Sequence, residues 1–222
     1  MTSYPCSGDR PPLSVPWRRL IVLEGMPGAG KTTAALALTE RGLPVLGEYT
    51  DDTQMTIAIS QHPPVTDDDA HQGNWVRKAA QATARPAGGG SVYTDRDWLS
   101  SLSYAYSIAP ADGGALLAQR TIWAARHLGD GSLLLPGTYV IFSLDPATSL
   151  HRRTGRLRPG HPWTNPTTLQ RLAGFYTNPS QALHPVHPGI AEALHQPTWV
   201  RLCGHSDPHE VAHRLTTLAS PP

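Results

Sequence analysis

Residues 25 to 33 form a glycine-rich run whose residue types and spacing suit the binding of phosphate. They follow the pattern G-x-x-x-x-G-K-[ST], in which the glycines let successive backbone N–H groups turn toward phosphate oxygens without interference from side chains. Lys31 would reach the terminal phosphates of a nucleotide, and the Thr32 hydroxyl would hold Mg²⁺. The residues predicted to bind the nucleotide here are Gly25, Met26, Pro27, Gly28, Ala29, Gly30, Lys31, Thr32 and Thr33.

The residues on either side of this run supply the secondary structure that a phosphate-binding loop needs. An apolar strand is predicted from Leu20 to Glu24, and a helix from Lys31 to about Arg41. Because strand, loop and helix occur together, a chance match in a glycine-rich turn is the weaker interpretation. Lysine usage points the same way, since the chain has sixteen arginines but only two lysines, Lys31 and Lys78. A lysine is a compact point charge that fits among phosphates.

Length and composition limit the kind of protein. With 222 residues and 39% hydrophobic content, the chain is long enough for one α/β core and too short for two ordinary domains. We therefore expect a flexible segment at 1–17 and a single domain over 18–219. A net charge of +1 gives no field to attract nucleic acid or an anionic membrane, so a small-molecule acceptor is the expected partner. The absence of a membrane-length apolar stretch and of a signal-peptide core indicates a cytoplasmic protein, whose oligomeric state stays open, with a homodimer among the options.

Predicted strands and helices alternate along the chain. After the first strand, further strands are expected at 43–47, 91–95, 139–144 and 198–203. Helices are expected at about 67–84, 98–108, 115–127, from 145 onward, 167–176, 189–195 and 207–218, with 152–163 as a polar, mobile loop. This alternation predicts an α/β fold with a parallel sheet covered by helices on both faces, and ligands in such folds lie at the carboxyl ends of the strands. The phosphate loop, Glu48 and Asp95 all fall at such ends.

Two more segments carry recognisable patterns. Asp95-Arg96 ends the predicted third strand and precedes a helix with serines and an aromatic residue, and Leu144-Asp145-Pro146 leads into a helix that ends in arginines. With the phosphate loop, these segments resemble thymidylate kinases and deoxynucleoside kinases over residues 20–158. The resemblance implies a P-loop kinase fold with a five-stranded parallel sheet in the order 2-3-1-4-5. It also implies the use of ATP and Mg²⁺ and an Arg-rich lid at about 152–168.

The chain departs from the thymidylate kinase pattern at the residues expected to meet the acceptor. Where that family has Arg-Glu-Pro-Gly after the second strand, this chain has Gly47-Glu48-Tyr49-Thr50-Asp51, which keeps only the Glu. The helix after Arg96 carries Ser100, Ser101 and Ser103 in place of an Asn or Gln that would read a pyrimidine ring. These departures argue against thymine specificity.

The carboxylates at the strand ends suit phosphoryl transfer. A hydroxyl acceptor must lose a proton as it attacks, so Glu48 is a candidate general base. Together with Asp51 and Asp52, it would repel a phosphate dianion and tolerate a hydroxyl or a cationic acceptor, although Asp51 and Asp52 also fit a solvated acidic turn. Asp95 is suited to hold Mg²⁺ through water beside Thr32, and capping of the following helix is its alternative role.

Arginines cluster where the resemblance places a lid. Planar guanidinium groups bind phosphate bidentately and stack on adenine, which predicts a lid that closes over ATP, with ordinary solvated surface as the alternative. Arg96 would contact an acceptor phosphate or pair with Asp97 or Glu48. The arginines of the lid that are predicted to bind nucleotide are Arg152, Arg153, Arg156 and Arg158. The candidate catalytic residues are Lys31, Glu48, Asp95, Arg96, Arg152 and Arg156.

One motif points to a different chemistry. Residues 209–213 read His-Glu-Val-Ala-His, the H-E-x-x-H pattern of zinc hydrolases, and the two histidines would share one helix face. No His, Asp, Glu or Cys follows His213 to act as a third ligand, so we interpret this segment as a surface helix.

Three functions are compatible with the sequence. The first is an ATP- and Mg²⁺-dependent kinase of a small-molecule hydroxyl, on a nucleoside, a sugar-like compound or an antibiotic metabolite, with Glu48 as base. The second is a nucleoside-monophosphate kinase, close to thymidylate kinase, in which Arg96 grips the acceptor phosphate. The third is a regulatory ATPase, while a guanine switch is disfavoured because the chain has no N-K-x-D motif.

Overall fold

A five-stranded, entirely parallel sheet forms the centre of the structure, a computed structural model that describes residues 15–64, 67–86, 90–112, 114–155, 157 and 160–218. The strand order is β2-β3-β1-β4-β5, which confirms the predicted order. The strands are β1 (Trp17–Gly25), β2 (Val45–Leu46), β3 (Val92–Asp95), β4 (Pro136–Ser143) and β5 (Thr198–Cys203).

Helices cover the sheet. Within the described residues they are α1 (Lys31–Glu40), α2 (Asp68–Thr83), α3 (Trp98–Asp112), α4 (Ala115–Gly129), α5 (Pro146–Arg153), α6 (Pro166–Thr177), α7 (Pro179–Leu183), α8 (Pro188–Ala193) and α9 (Pro208–Leu218). None of these described helices is both long enough and apolar enough to cross a membrane.

The central strands are buried on both faces, as their unbroken apolar runs predict. In β1, the side chains from Leu20 to Leu23 are at most 5% exposed, and in β4 those from Tyr139 to Phe142 are at most 2% exposed. Strands covered by helices on both sides exclude water from each face, which favours continuous apolar sequence over alternation. Since β1 lies between β3 and β4, the loop that follows it opens at the middle of the sheet edge.

Local signals in the sequence explain where several helices begin. Gly30 adopts a left-handed φ of 94° immediately before α1. The Asp67 side chain accepts a hydrogen bond from the backbone N–H of Ala70 and caps α2. Asp145 caps α5 in the same way, with Pro146 at the first helical position. These helices start within one residue of their predicted positions.

Several predicted elements differ from the structure. Strands β1 and β4 each begin three residues before their predicted starts, at Trp17 and Pro136, and β2 is shorter than predicted. Helix α3 extends past its predicted end to Asp112, and the short helix α7 was not predicted. The segment from Arg152 to Trp163 was predicted to be a loop, but Arg152 and Arg153 form the last turn of α5, and a 3-10 turn spans Pro162–Thr164. Asp145 and Pro146 nucleate α5 strongly enough for it to extend into the polar arginines.

Gly137 allows β1 and β4 to approach closely at an irregularity in their pairing. Trp17 pairs with Pro136 and Ile21 with Thr138, so the register shifts between these two pairs. A Cβ atom on Gly137 would lie 2.6 Å from the Cα atom of Arg18 and 2.7 Å from its carbonyl oxygen. Both neighbours are backbone atoms, which cannot move without separating the strands.

We expect Gly137→Ala to lower the free energy of unfolding by about 1–3 kcal/mol, the usual cost of overpacking. Gly129→Ala is the matched control, because a Cβ atom there would meet nothing within 4 Å at the end of α4. Thermal unfolding followed by circular dichroism measures both variants. Equal midpoints for Gly137→Ala and the unchanged protein would contradict this account of the β1–β4 contact.

Candidate active site

The phosphate loop is anchored to the end of β4. Gly25 has a φ of 126°, and a Cβ atom there would lie 2.3 Å from the Phe142 carbonyl oxygen. The next residue, Met26, donates its backbone N–H to that same oxygen at 3.1 Å. Only glycine can occupy position 25, since any side chain would collide with the strand that holds the loop.

Lys31 lies inside the loop. Its side chain is buried, and its Nζ donates to the carbonyl oxygens of Gly25 (3.0 Å) and Met26 (2.8 Å). Burial lowers the pKa of Lys31 to about 7, and the nearby positive charge of Arg96 contributes in the same direction. An anionic phosphate at this position would stabilise the charged form of Lys31.

Thr32 and Asp95 meet across the gap between α1 and β3. The Thr32 Oγ1 donates to the Asp95 Oδ2 at 2.7 Å, whereas the buried Asp95 Oδ1 has no hydrogen-bond partner within the described residues. Burial raises the pKa of Asp95, and the negative charge of Glu48 adds to this shift. Asp95 does not cap the following helix, because Asp97 accepts the N–H of Leu99 there.

This pair fits a Mg²⁺ site that a substrate completes. Magnesium keeps several water ligands and takes few from protein, so one hydroxyl and one carboxylate with a free oxygen suit it. The described residues contain no group of three or more His, Cys, Asp or Glu that could hold a metal by itself.

Arg96 and Glu48 form an ion pair at the ends of β3 and β2. The Arg96 Nε lies 2.9 Å from the Glu48 Oε1, and the side chains are 17% and 32% exposed. Burial alone would raise the pKa of Glu48, but the positive charges of Arg96 and Lys31 outweigh it and hold this pKa below its usual value. The predicted pairing of Arg96 with Glu48 is present in the structure, and contact of Arg96 with an acceptor phosphate stays a prediction.

A second carboxylate holds the other side of Arg96. Glu24, which is fully buried, places its Oε2 3.6 Å from the Arg96 Nη1. It also accepts hydrogen bonds from the Ser100 hydroxyl and the Tyr176 hydroxyl, both at 2.7 Å, and from the Asp97 backbone N–H at 3.2 Å. This network connects β1, β3, α3 and α6. Its one direct signal in the sequence is a carboxylate next to the phosphate loop.

Arg96 itself has a strained backbone. Its φ is 68°, and it is the one non-glycine residue with a positive φ among the described residues. Such a conformation costs about 1 kcal/mol or more and persists where surrounding contacts enforce it. The strain directs the Arg96 side chain back between the two glutamates.

A cleft of about 610 Å³ opens beside Glu48 and Arg96. Aromatic rings form much of its wall; Tyr104 and Trp163 meet edge to face, with ring centroids 5.5 Å apart. The Trp75 Nε1 donates to the Ser101 hydroxyl at 2.8 Å, which fixes that ring. The lining residues are Pro27, Glu48, Tyr49, His71, Trp75, Arg96, Ser100, Ser101, Ser103, Tyr104, Arg120, Trp163, Leu172 and Tyr176. Sequence reasoning missed most of them, because isolated aromatic residues on three α-helices, a 3-10 turn and the loop after β2 form no linear motif.

The far end of the cleft holds a second buried cation. Arg120 on α4 forms a close ion pair with Asp68 on α2, donates to the Ser101 carbonyl oxygen at 3.0 Å and lies over the Tyr104 ring. Like Arg96, it is therefore already neutralised by a carboxylate. The two arginines that line the cleft both have acidic partners.

The other acidic residues near β2 turn away from the cleft. The Asp51 carboxylate accepts hydrogen bonds from the backbone N–H groups of Thr53 and Gln54, both at 2.7 Å, and so closes a turn. Asp52 is 95% exposed and pairs with Arg77. Of the three carboxylates predicted to face the acceptor, only Glu48 lines the cleft. Asp51 and Asp52 instead belong to a solvated acidic turn, as the alternative interpretation predicted.

Arg152 contacts the opposite side of the phosphate loop. Its Nη1 donates to the carbonyl oxygens of Gly28 (3.0 Å) and Gly204 (2.8 Å), so it joins the loop to the turn after β5. A cavity of about 670 Å³ lies there, lined by Gly28, Ala29, Gly30, Thr33, Ala34, Phe142, Arg152, Cys203, Gly204, His205, Ser206 and Val211. Arg153 packs against Gly28 from the same helix. The predicted lid residues Arg156 and Arg158 lie outside the described residues.

The H-E-x-x-H motif lies on the surface. His209, Glu210 and His213 are all exposed on α9, and they form no metal-ligand cluster with other described residues. The interpretation of this segment as a surface helix is confirmed.

A phosphate loop between the first strand and first helix of a 2-3-1-4-5 parallel sheet defines the P-loop kinase fold, and this chain has that fold. No family model matches the chain, and no curated protein matches it. Solved structures do match it in three dimensions. Deoxyadenosine kinase from M. mycoides with bound dATP superposes with a TM-score of 0.60 at 11% identity, over 89% of this chain and 97% of that one. The same enzyme with the products dCMP and dCDP gives 0.59 at the same identity and coverage.

We expect Tyr176→Phe to destabilise the fold by about 1–3 kcal/mol, because the buried Glu24 carboxylate loses a hydrogen-bond donor. Tyr106→Phe is the matched control, since the Tyr106 ring packs at a tilt against Phe175 in the same pair of helices, with centroids 5.4 Å apart, and its hydroxyl makes no hydrogen bond within the described residues. Denaturant unfolding measures both. If the two variants lost equal stability, the Tyr176–Glu24 hydrogen bond would make no particular contribution to the free energy of unfolding.

Proposed function

We propose that this protein is an ATP- and Mg²⁺-dependent phosphotransferase that moves the γ-phosphate to a hydroxyl of a small molecule with a flat ring, such as a nucleoside. The observation that carries this proposal is the position of Glu48, at the junction of the phosphate loop and an aromatic-lined cleft, in an ion pair with Arg96. Sugar-like compounds and antibiotic metabolites, which also carry hydroxyl groups, are the alternative acceptors.

The donor half of the proposed site is the phosphate loop. Backbone N–H groups of the loop and Lys31 would bind the phosphates, and Arg152 would contact the nucleotide from the β5 side. Thr32 and Asp95 would hold Mg²⁺, which supplies neutralisation of the charge on the transferring phosphate. The Asp95 Oδ1, which has no hydrogen-bond partner in the part of the chain that the structure describes, supports this assignment.

The acceptor half is built around Glu48. Because Arg96 keeps the pKa of Glu48 low, the carboxylate is ionised at neutral pH and able to accept a proton. In the transfer step, the acceptor O–H bond breaks and its proton passes to Glu48. The acceptor oxygen forms a bond to the γ-phosphorus as the bond from that phosphorus to the β-phosphate oxygen breaks, and ADP leaves.

The charges in the cleft favour a hydroxyl acceptor over a monophosphate. A phosphate dianion needs cations to bind, yet Arg96 is paired with Glu48 and Glu24, and Arg120 with Asp68. A monophosphate would have to displace a carboxylate from one of these arginines. A neutral hydroxyl needs no such exchange, and the aromatic walls suit the face of a ring.

We expect Glu48→Gln to slow phosphoryl transfer by about 10²–10⁴-fold, the usual contribution of a general base, while the dissociation constant for ATP stays within about twofold. Asp52→Asn is the matched control, since Asp52 lies near the same strand end but is 95% exposed. ADP release across a panel of nucleosides, sugars and ring-containing antibiotics identifies the acceptor, and calorimetry measures ATP binding.

Several outcomes of that screen would overturn parts of the proposal. Turnover by Glu48→Gln equal to that of Asp52→Asn would remove Glu48 as the base. Faster turnover with thymidylate than with every unphosphorylated acceptor would establish a monophosphate kinase. ATP hydrolysis that no acceptor accelerates would support a regulatory ATPase.

We expect Lys31→Met to abolish turnover and to weaken ATP binding by at least about tenfold, because the loop loses its one charge for the terminal phosphates. The thermal midpoint should not fall, since the lowered pKa of Lys31 shows that burial of its charged form costs free energy. Calorimetry and circular dichroism measure the two effects. A variant that binds ATP normally would refute this role for Lys31.

A further inference from the structure

The second lysine of the chain, Lys78, lies beneath the candidate active site. It is on α2 and only 4% exposed. Its Nζ donates to the carbonyl oxygens of Asp95 and Arg96, both at 2.8 Å, and lies 3.5 Å from the carbonyl oxygen of Glu48. These three carbonyls belong to the candidate metal ligand, the cleft cation and the candidate base.

The geometry of an ammonium group suits this arrangement. It carries three donors and no acceptor, so it can hold three carbonyl oxygens at once. Carbonyls just beyond the carboxyl ends of β2 and β3 have left the sheet ladder and need other partners. Lys78 thus joins two strand ends whose own hydrogen bonding has stopped.

The hydrogen bond from Lys78 to the Arg96 carbonyl oxygen also helps to hold the strained backbone of Arg96. The Arg96 carbonyl oxygen accepts from the Lys78 Nζ and from the Thr94 hydroxyl, both at 2.8 Å. Its N–H donates to the Leu23 carbonyl oxygen at 3.0 Å. The peptide groups on both sides of the left-handed residue are therefore held, and Lys78 supplies the positively charged contact, while the Glu24 carboxylate accepts the N–H of Asp97 at 3.2 Å.

Burial of this charge is costly, which argues against a space-filling role. Among the described residues, no carboxylate lies within ion-pair distance of the Lys78 Nζ, which directly contacts carbonyl oxygens and lies 5.3 Å from the centre of the Trp75 ring. The negative charges of Asp95, Asp97, Glu48 and Glu24 act on it only from further away. Burial of an ammonium that has no ion pair is unfavourable relative to burial of an apolar residue of similar size. Packing alone would be served better by methionine or leucine.

Other residues of α2 bind the β2 end without reaching β3. Asn74 donates to the Glu48 carbonyl oxygen at 2.9 Å, and Gln81 donates to that of Asp51 at 2.7 Å. Arg77 donates to the Thr50 carbonyl oxygen at 2.9 Å. Lys78 differs from all of them because it connects the Glu48 strand end to the Asp95–Arg96 strand end.

We propose that Lys78 is a positioning residue that fixes the Arg96–Glu48 ion pair relative to the phosphate loop by clamping the carbonyls of Glu48, Asp95 and Arg96. Its effect on turnover rests on the proposed function, whereas its effect on geometry does not. Lys78 touches neither substrate nor reacting atoms. It acts through the backbone of the residues that do.

The test compares Lys78→Met with Arg77→Met, which removes a positive charge from the adjacent, more exposed position of the same helix. For Lys78→Met we expect kcat per ATP-binding site to fall by about 10²-fold, as misplacement of about 1 Å does elsewhere, with KM for ATP within about twofold. Crystal structures should show Arg96 outside the left-handed region and separated from Glu48. Arg77→Met should match the unchanged protein in kcat, in KM for ATP and in the backbone conformation of Arg96.

Counting ATP-binding sites by calorimetry separates positioning from folding. If the loss of kcat in Lys78→Met only matches a loss of ATP-binding sites, Lys78 is structural and the proposal is wrong. Retention of the left-handed Arg96 and its ion pair would also overturn it. Should Lys78→Met fail to fold, Lys78→Gln is measured in the same way, and failure of both to fold overturns the proposal as well.

The crystal structures can be determined without an acceptor. The positioning role of Lys78 can therefore be tested even if the proposed phosphotransferase function is wrong. If the unchanged protein phosphorylates no acceptor, the proposed function fails, and the Arg96 backbone in Lys78→Met still decides the positioning role.

Discussion

The Arg96 guanidinium lies between two carboxylates, Glu48 at the end of β2 and Glu24 at the end of β1. Each of these groups would be costly to bury alone, and together they neutralise one another. The rest of the site depends on this arrangement. Glu24 adjoins the phosphate loop, Glu48 faces the cleft, and the backbone of Arg96 follows directly after the candidate metal ligand. Three neighbouring strand ends are thereby held in one fixed relation.

Side chains from two helices add further hydrogen bonds to the strand ends. From one side, α2 contributes Asn74 and Lys78, which bind the backbone of the β2 and β3 ends. From the other, α6 contributes Tyr176, whose hydroxyl donates to Glu24. The polar network therefore reaches both helical layers that flank the cleft. Its members are buried or partly buried and are joined by hydrogen bonds and ion pairs, which makes the geometry rigid before any substrate binds.

Features carried by local sequence could be predicted. The phosphate loop, the apolar central strands and the capping residues Asp67 and Asp145 can each be recognised from a few consecutive residues. The order of the strands was predicted from the family resemblance. Contacts between distant residues could not be predicted: Tyr176 and Glu24 are 152 positions apart. The same holds for the cleft wall, whose aromatic residues follow no common spacing, and for Lys78, which on a helix pattern looks like an ordinary surface charge. Asp51 and Asp52 show the converse error, in which sequence proximity to Glu48 suggested a shared role that the turn geometry denies.

The central position of β1 also separates most residues that line the cleft beside Glu48 from most residues that line the cavity beside Arg152. Substitutions in one set can therefore occur without changing the other. Apart from Pro27 of the phosphate loop and three residues of the 3-10 turn and α6, the cleft beside Glu48 is lined by residues from 48 to 120. The cavity beside Arg152 is lined by residues from 142 to 211 together with five residues of the phosphate loop and the start of α1. Substitutions between residues 48 and 120 can reshape the cleft and leave the cavity intact. Descendants of such a chain could diversify one recognition surface while inheriting the other unchanged, with the phosphate loop as their common boundary.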